Sequence, residues 1–210
     1  MRSNVGITRK QEPCGCGRGR FAPVAPSITL PEKTLRVGSI ELRPVSEADV
    51  SAFVEAFQDP AIAEGAYHGK IAATEEALCP YLQRNVERME AGDGVLLGVW
   101  ETGAEQLSGQ TMLFNIDWDE RTAELGFWIA PWSRGHGLSE AALRPTLEFG
   151  FDHLGIERVY GLTGVDNLAA HRAMERAGLK REGTLRGLEK TPSGRLDQVC
   201  FAILAVDART

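Results

Sequence analysis

The stretch Arg134-Gly135-His136-Gly137-Leu138-Ser139 constrains this 210-residue chain more than any other. Before it, Thr122 to Ala130 is rich in apolar and aromatic residues and ends at Pro131. After it, Leu143, Leu147, Phe151 and Leu154 recur at helical spacing. The pattern predicts a strand, a glycine-bearing loop and a helix. Such a junction binds anions, because the first N–H groups of a helix lack intrahelical partners and the positive end of its dipole adds to them. Glycines let the backbone approach a ligand closely, and Arg134 adds a guanidinium fork. A pyrophosphate-bearing cofactor is the first expectation.

Exclusion narrows the cofactor. A Walker loop requires Lys and then Ser or Thr after its last glycine, and Leu138 stands there instead. A dinucleotide fingerprint requires a third glycine where the chain has Glu140. It also requires an acidic residue at the tip of a second strand, whereas Glu157 stands at a strand start. By itself the hexamer is equally compatible with a plain strand-to-helix turn.

Four stretches, taken in order, resemble the GNAT acyltransferase superfamily, and within it the RimJ/RimL-like enzymes that acetylate the N-termini of ribosomal proteins. Ile40-Glu-Leu-Arg-Pro44 with Ser46 to Asp49 resembles the opening strand and first helix. Gly126-Phe-Trp-Ile129 with Arg134 to Ser139 resembles the acetyl-CoA strand and pyrophosphate loop, written Gln/Arg-x-x-Gly-x-Gly/Ala. Val165 to Ala169 with Arg172 to Leu179 resembles the Asn-x-Ala-Ser helix, and Glu182 to Arg186 with Asp197 and Val199 to Leu204 the closing hairpin.

The resemblance implies an acetyl-CoA-dependent N-acetyltransferase acting on a primary amine. The acceptor could be a protein N-terminus or a small-molecule amine such as an antibiotic or polyamine. It implies cofactor contacts from Trp128, Ile129, Arg134, Gly135, His136, Gly137, Leu138, Ser139 and Asn167, with no metal. The fold implied is α/β (α+β): one GNAT-like domain with a mixed, mostly antiparallel sheet of about six or seven strands flanked by about four helices. A main-chain N–H near Trp128 or Ile129 would polarise the thioester carbonyl. A homodimer is common among relatives, and the last strand offers a pairing edge.

Two positions depart from the family. Ser139 stands where Gly or Ala is usual, and is small enough to fit. Ala170 stands where relatives carry a Ser hydroxyl that is a proposed proton donor to the departing thiolate, and Ala cannot donate. A thiolate leaves tolerably by its own acidity. An acyl or aminoacyl donor other than acetyl-CoA, and a non-catalytic acyl-CoA sensor, stay open as alternatives.

Glu124 is the candidate base. Strand alternation places it on the face of Gly126 and Trp128. A half-buried carboxylate beside apolar rings suits proton acceptance near neutrality, since burial disfavours the charged form. An exposed strand carboxylate is the plain alternative. His136 could contact phosphate or solvent, His171 could face the cofactor from its helix, and Asn167 either caps that helix or meets the pantetheine. His68 and His153 are read as structural.

Charge divides the chain. Residues 1–38 carry seven Lys/Arg against two Asp/Glu, a charge of +5 in a chain of net −6, which leaves −11 for residues 39–210. Residues 1–38, rich in Gly and Pro without a periodic apolar face, read as a disordered basic arm, and nucleic acid is not the expected partner. The acidic body would attract a cationic acceptor, and Glu47, Asp49, Asp117, Asp119 and Glu120 are candidates, although helix starts and turns use such acids structurally. No apolar run reaches membrane-span length and no signal-peptide core opens the chain, so a cytoplasmic protein is expected. Cys14 and Cys16 lack the second pair that a zinc site needs, and Cys200 reads as a core residue.

Periodicity places strands at Ser39–Arg43, Gly94–Trp100, Leu107–Ile116, Glu124–Ile129, Arg158–Val165, Lys180–Arg186 and Gln198–Val206. Helices are expected from Ser46 to Gln58, from Thr74 with a kink or restart at Pro80, after Ser139, and from Asn167 to a stop at Gly178. Gln58 to Leu82 and a Gly187-to-Leu196 loop would shape the acceptor pocket.

Overall fold

Alternating apolar strands build one sheet, and two sets of helices seal its faces. The computed structural model describes residues 25–30, 34–63, 71–191 and 194–208. Its elements are β1 (Leu35–Val37), β2 (Ile40–Pro44), α1 (Val50–Ala56), α2 (Pro60–Ala63), α3 (Glu75–Ala91), β3 (Gly94–Glu101), β4 (Leu107–Asp117) and β5 (Thr122–Ile129). There follow α4 (Leu138–Glu148), β6 (Arg158–Gly164), α5 (Leu168–Arg176), β7 (Lys180–Thr191) and β8 (Gly194–Leu204). A 3₁₀ turn, Glu47–Asp49, leads into α1, and a π turn, Phe149–His153, prolongs α4.

The strands pair in the order β1-β2-β3-β4-β5-β6-β8-β7. Each pair is antiparallel except β5–β6, which α4 connects as a crossover. This is the expected mixed single domain, with eight strands rather than six or seven and five helices rather than four. The differences include the three-residue β1 and the four-residue α2, both too short to display a period in sequence.

The β5–β6 register sets up the site. The two strands pair only at Thr122–Glu124 against Arg158–Tyr160. Beyond that, β5 stays with β4 as far as Ile129 opposite Gly109, and β6 stays with β8 as far as Gly164 opposite Gln198. A wedge-shaped gap therefore opens in mid-sheet at the C-terminal ends of the two parallel strands.

One face packs Leu42, Leu97, Leu113 and Leu125 beneath Leu143 and Leu147 of α4 and Met174 of α5. The other packs Leu96, Trp100 and Trp128 beneath Phe53 of α1 and Leu78 and Leu82 of α3. Covered on both sides, β3 accordingly reads as an unbroken apolar run. Asn85 of α3 is fully buried. Its Nδ2 donates to Leu96 O (3.1 Å) and Val45 O (3.3 Å), and its Oδ1 accepts from Leu96 N (2.8 Å). That set of bonds pins α3 where the chain leaves β2.

Several expectations are corrected. The α3 helix is continuous through Pro80, so of the two outcomes expected there the restart does not occur, and Leu78, Tyr81 and Leu82 around it are buried. Of the stretch expected as a Gly187-to-Leu196 loop, the part up to Thr191 belongs to β7 and the part from Gly194 to β8, with 192 and 193 outside the described residues. The last strand is not an edge, because β8 lies between β6 and β7 and its N–H and C=O groups are used on both sides. Within the stretch read as an arm, Ile28 is buried with its N–H on Met89 O (2.7 Å), and β1 adds to the sheet beside β2. Residues 1–24, with Cys14 and Cys16, lie outside the described residues, as does His68. Among the described residues no helix is long and apolar enough to cross a membrane.

Candidate active site

A cavity of about 960 Å³ occupies the gap between β5 and β6. Its walls are Glu124 to Ile129 of β5, Leu162 to Gly164 of β6, the glycine loop and the start of α5. Backbone groups face into it. Ala130 N donates to Ser108 O (2.9 Å), and the ladder continues with Trp128 opposite Gln110 and Gly126 opposite Met112. Bonding alternates along an antiparallel pair. The N–H groups of Gly126 and Trp128 therefore turn to β4, and those of Phe127 and Ile129 turn to the gap. The Trp128 side chain belongs to the core, edge-on to Phe53 and Phe57 at centroid distances of 5.6 and 6.1 Å, with Nε1 on Gln110 Oε1. Of the two positions named from sequence, only Ile129 offers its main chain to the cavity.

The loop enters α4 through two left-handed glycines, Gly135 (φ +87°) and Gly137 (φ +77°). Gly137 is the N-cap, and a Cβ at either position would meet nothing within 4 Å, so open space lies against the backbone here. Leu138 is buried in the core and fixes the first turn, while Ser139 lines the cavity. The first N–H groups of α4 thus stand at the mouth of the gap, and glycine loop, helix end and cavity together fit the pyrophosphate and arm of an acyl-CoA. His136 is exposed and is not among the lining residues.

Arg134 is already engaged. Its Nε donates to Ile129 O (3.0 Å) and its Nη1 pairs with Asp59 Oδ2 (3.0 Å). Asp59 also caps α2, accepting from Ala61 N at 2.7 Å. Burial pushes the Asp59 carboxyl up, but the bond and charge of Arg134 with the Ala61 and Ile62 N–H groups outweigh it and hold the group below its ordinary value.

Glu124 is half-buried, lines the cavity and shares its sheet face with Gly126 and Trp128, as alternation predicts. Its Oε2 accepts from Asn115 Nδ2 (2.9 Å) and Tyr160 OH (3.4 Å). Tyr160 sits directly across the last β5–β6 pair. Burial first, and then the Glu124 charge, raise its phenol above the ordinary value, so it stays protonated and donates. Asn115 occupies the β4 bulge with φ +49°, a left-handed conformation that Asn tolerates better than most residues. Neither residue was legible as part of the site, since a bulge has no period and the Tyr160 pairing is set by the crossover.

On α5, Asn167 is a cap, its Oδ1 accepting from Ala170 N (3.1 Å), although both residues also line the cavity. His171 is turned away, with Nε2 on Gly164 O (3.1 Å) and its ring 5.3 Å from Phe201. His153 stacks on Phe149. Cys200 is half-buried rather than core, its thiol pushed up by burial and by Glu182.

Three of the five acids singled out from sequence do structural work elsewhere. Asp49 takes Ser46 N and both Arg43 Nη atoms, Glu47 takes Gln83, and Asp117 closes its turn onto Asp119 N and Glu120 N. The carboxylates lining the cavity are Glu124, Asp166, Glu189 and Asp197, and Arg134 is the one Lys or Arg among the described lining residues. That balance favours a positively charged visitor.

A sheet parted between parallel strands, with a glycine loop and a helix N-terminus at the mouth and a carboxylate within, is the architecture of the GNAT class of proteins. Residues 39–180 match the family model for the Acetyltransferase (GNAT) domain, and the chain belongs to that family. YdaF of Bacillus subtilis, provisionally named a ribosomal N-acetyltransferase, is 34% identical over 94 residues, which are 45% of this chain and 50% of that protein. A spermidine N(1)-acetyltransferase of Vibrio cholerae is 30% identical over 87 residues, 41% of this chain and 50% of its own. The matches thus span about half the length of these relatives. The solved structure of spermidine N-acetyltransferase from Vibrio cholerae in complex with CoA and spermine superposes with a TM-score of 0.71 over 82% of this chain and 99% of that one. At 20% identity it speaks for the fold alone.

Proposed function

We propose that this chain is an acetyl-CoA-dependent N-acetyltransferase whose acceptor is a cationic primary amine, a protein N-terminus or a small amine such as a polyamine. The observation that carries this is the placement of Glu124 inside a gap whose mouth is the glycine loop and the N-terminus of α4. Bound acetyl-CoA would supply an acetyl group activated as a thioester. The first-turn N–H groups of α4, with Gly135, Gly137 and Ser139, would hold the pyrophosphate. The N–H groups of Phe127 and Ile129 would hold the arm and donate to the carbonyl oxygen. Glu124 takes a proton from the amine, which reaches it as an ammonium drawn by the cavity carboxylates. Attack of the amine on the carbonyl carbon breaks the C–S bond; Ala170 offers no proton to the leaving thiolate, which departs by its own acidity, and the second amine proton passes to solvent as the amide forms.

Thiol release from acetyl-CoA with a panel of primary amines tests this. Turnover with at least one amine, lowered a hundredfold or more in Glu124→Gln, is the expected outcome. Micromolar CoA binding without turnover on any amine would instead describe an acyl-CoA sensor. Release from longer acyl-CoA donors alone would change the donor.

A further inference from the structure

The carboxylate of Glu124 is gripped from one side. Asn115 Nδ2 at 2.9 Å and Tyr160 OH at 3.4 Å both address Oε2, while Oε1 has no partner among the described residues. The donors arrive from two strands. Asn115 comes from the β4 bulge, where the register between β4 and β5 slips after Phe114. Tyr160 comes from β6, at the last residue pair before the sheet parts. The bulge costs something. A non-glycine residue at φ +49° sits in a sparsely populated region, and such strain persists where surrounding structure demands it. In regular β4 pairing the side chain at 115 would follow the pleat, and the bulge is what re-aims it at the neighbouring strand.

We infer that Asn115 and Tyr160 are positioning residues for the proposed base, fixing Oε2 of Glu124 so that Oε1 is the atom that takes the amine proton. The inference rests on Glu124 as the base. Two donors on one oxygen stop rotation of the carboxylate and leave the lone pairs of the other oxygen to the cavity. Other groups near this carboxylate leave the pattern intact. Phe114 and Gly126, beside it on β4 and β5, are uncharged, and Arg158, two residues before Tyr160, is committed to Glu182 at 2.7 and 2.6 Å. Cys200, held protonated by burial, brings no charge.

The full-length protein allows a direct test without an acceptor. Glutamate side-chain carboxyl carbons are labelled with ¹³C, the Glu124 signal is assigned by its loss in Glu124→Gln, and its chemical shift is compared between wild type and variants at one pH by NMR. Asn115→Gly keeps the left-handed backbone at ease and removes only the donor, so it folds. Tyr160→Phe removes only the hydroxyl. Losing a donor displaces the Glu124 carboxyl signal, more in Asn115→Gly than in Tyr160→Phe, whose bond is longer. For thiol release, with acetyl-CoA and either an alanyl peptide or spermidine, kcat falls about tenfold in Asn115→Gly while the KM for acetyl-CoA stays within about twofold. An undisplaced signal and an unchanged kcat in both variants overturn the positioning role, whatever Glu124→Gln does to turnover. A displaced signal combined with full turnover by Glu124→Gln overturns the base assignment itself, and with it any catalytic meaning of the grip.

Discussion

Arg134 and Asp59 meet at 3.0 Å although 75 residues separate them, so the guanidinium of the glycine loop is tied to the cap of α2. One carboxylate thus serves two elements that line the cavity, since Ala61 and Ile62 of α2 are lining residues as well. The pair holds the loop, and it also takes up charge that would otherwise face a phosphate.

Asp59→Asn separates those roles. Asn still caps α2, so the helix start is kept, but the negative charge beside Arg134 is gone. CoA is expected to bind about two- to fivefold more tightly, the scale of a partly exposed ion pair. Isothermal titration calorimetry measures it. Weaker binding would mean that the pair chiefly positions the loop.

The same carboxylate sets a pH dependence. Its folded-state value lies below the ordinary one, so its contribution to stability is present above the unfolded value of about 3.9 and is lost as pH falls through the lowered folded value. The melting temperatures of wild type and Asp59→Asn should therefore differ by a constant amount from pH 7 to about pH 5, and converge below about pH 4. A difference that grows on acidification would contradict the assignment.

Gly137→Val addresses the loop. A side chain would meet no neighbour there, so the penalty is conformational: φ +77° is hostile to a β-branched residue. The variant should retain its far-ultraviolet circular dichroism and lose CoA affinity by more than about tenfold, because the first N–H groups of α4 no longer converge. Unchanged affinity would remove this loop from the cofactor site.

Asn85→Leu tests the seam between α3 and the sheet. Leu keeps the volume but strands Leu96 N, Leu96 O and Val45 O without their buried partner. A loss of about 2–5 kcal/mol is expected in urea unfolding. A near-neutral result would mean that water enters the seam.

Legibility followed distance along the chain. Periodicity and turn residues located the seven long strands, the α4 helix to within two residues of its start, and the Gly178 stop of α5, because each is decided by side chains within a turn or two. The Glu124 face was legible for the same reason, as strand alternation needs only its neighbours. Asn167 was legible as a cap, one of the two roles its position allows. Arg134 was legible as a charge but not as a partner of Asp59. Trp128 was legible as a residue of the cavity wall or core, and it lines the cavity while its ring packs on Phe53 and Phe57, far earlier in the chain.

By itself the sequence determined the strand-loop-helix unit at 122–148 and the family to which the chain belongs. Only the tertiary structure decided that β5 and β6 part after Glu124 and Tyr160, and that a bulge turns Asn115 onto the same oxygen. The reason is physical. Local conformation is fixed by short-range sterics and hydrogen bonds, whereas a gap between parallel strands depends on how a crossover helix packs and where two registers end.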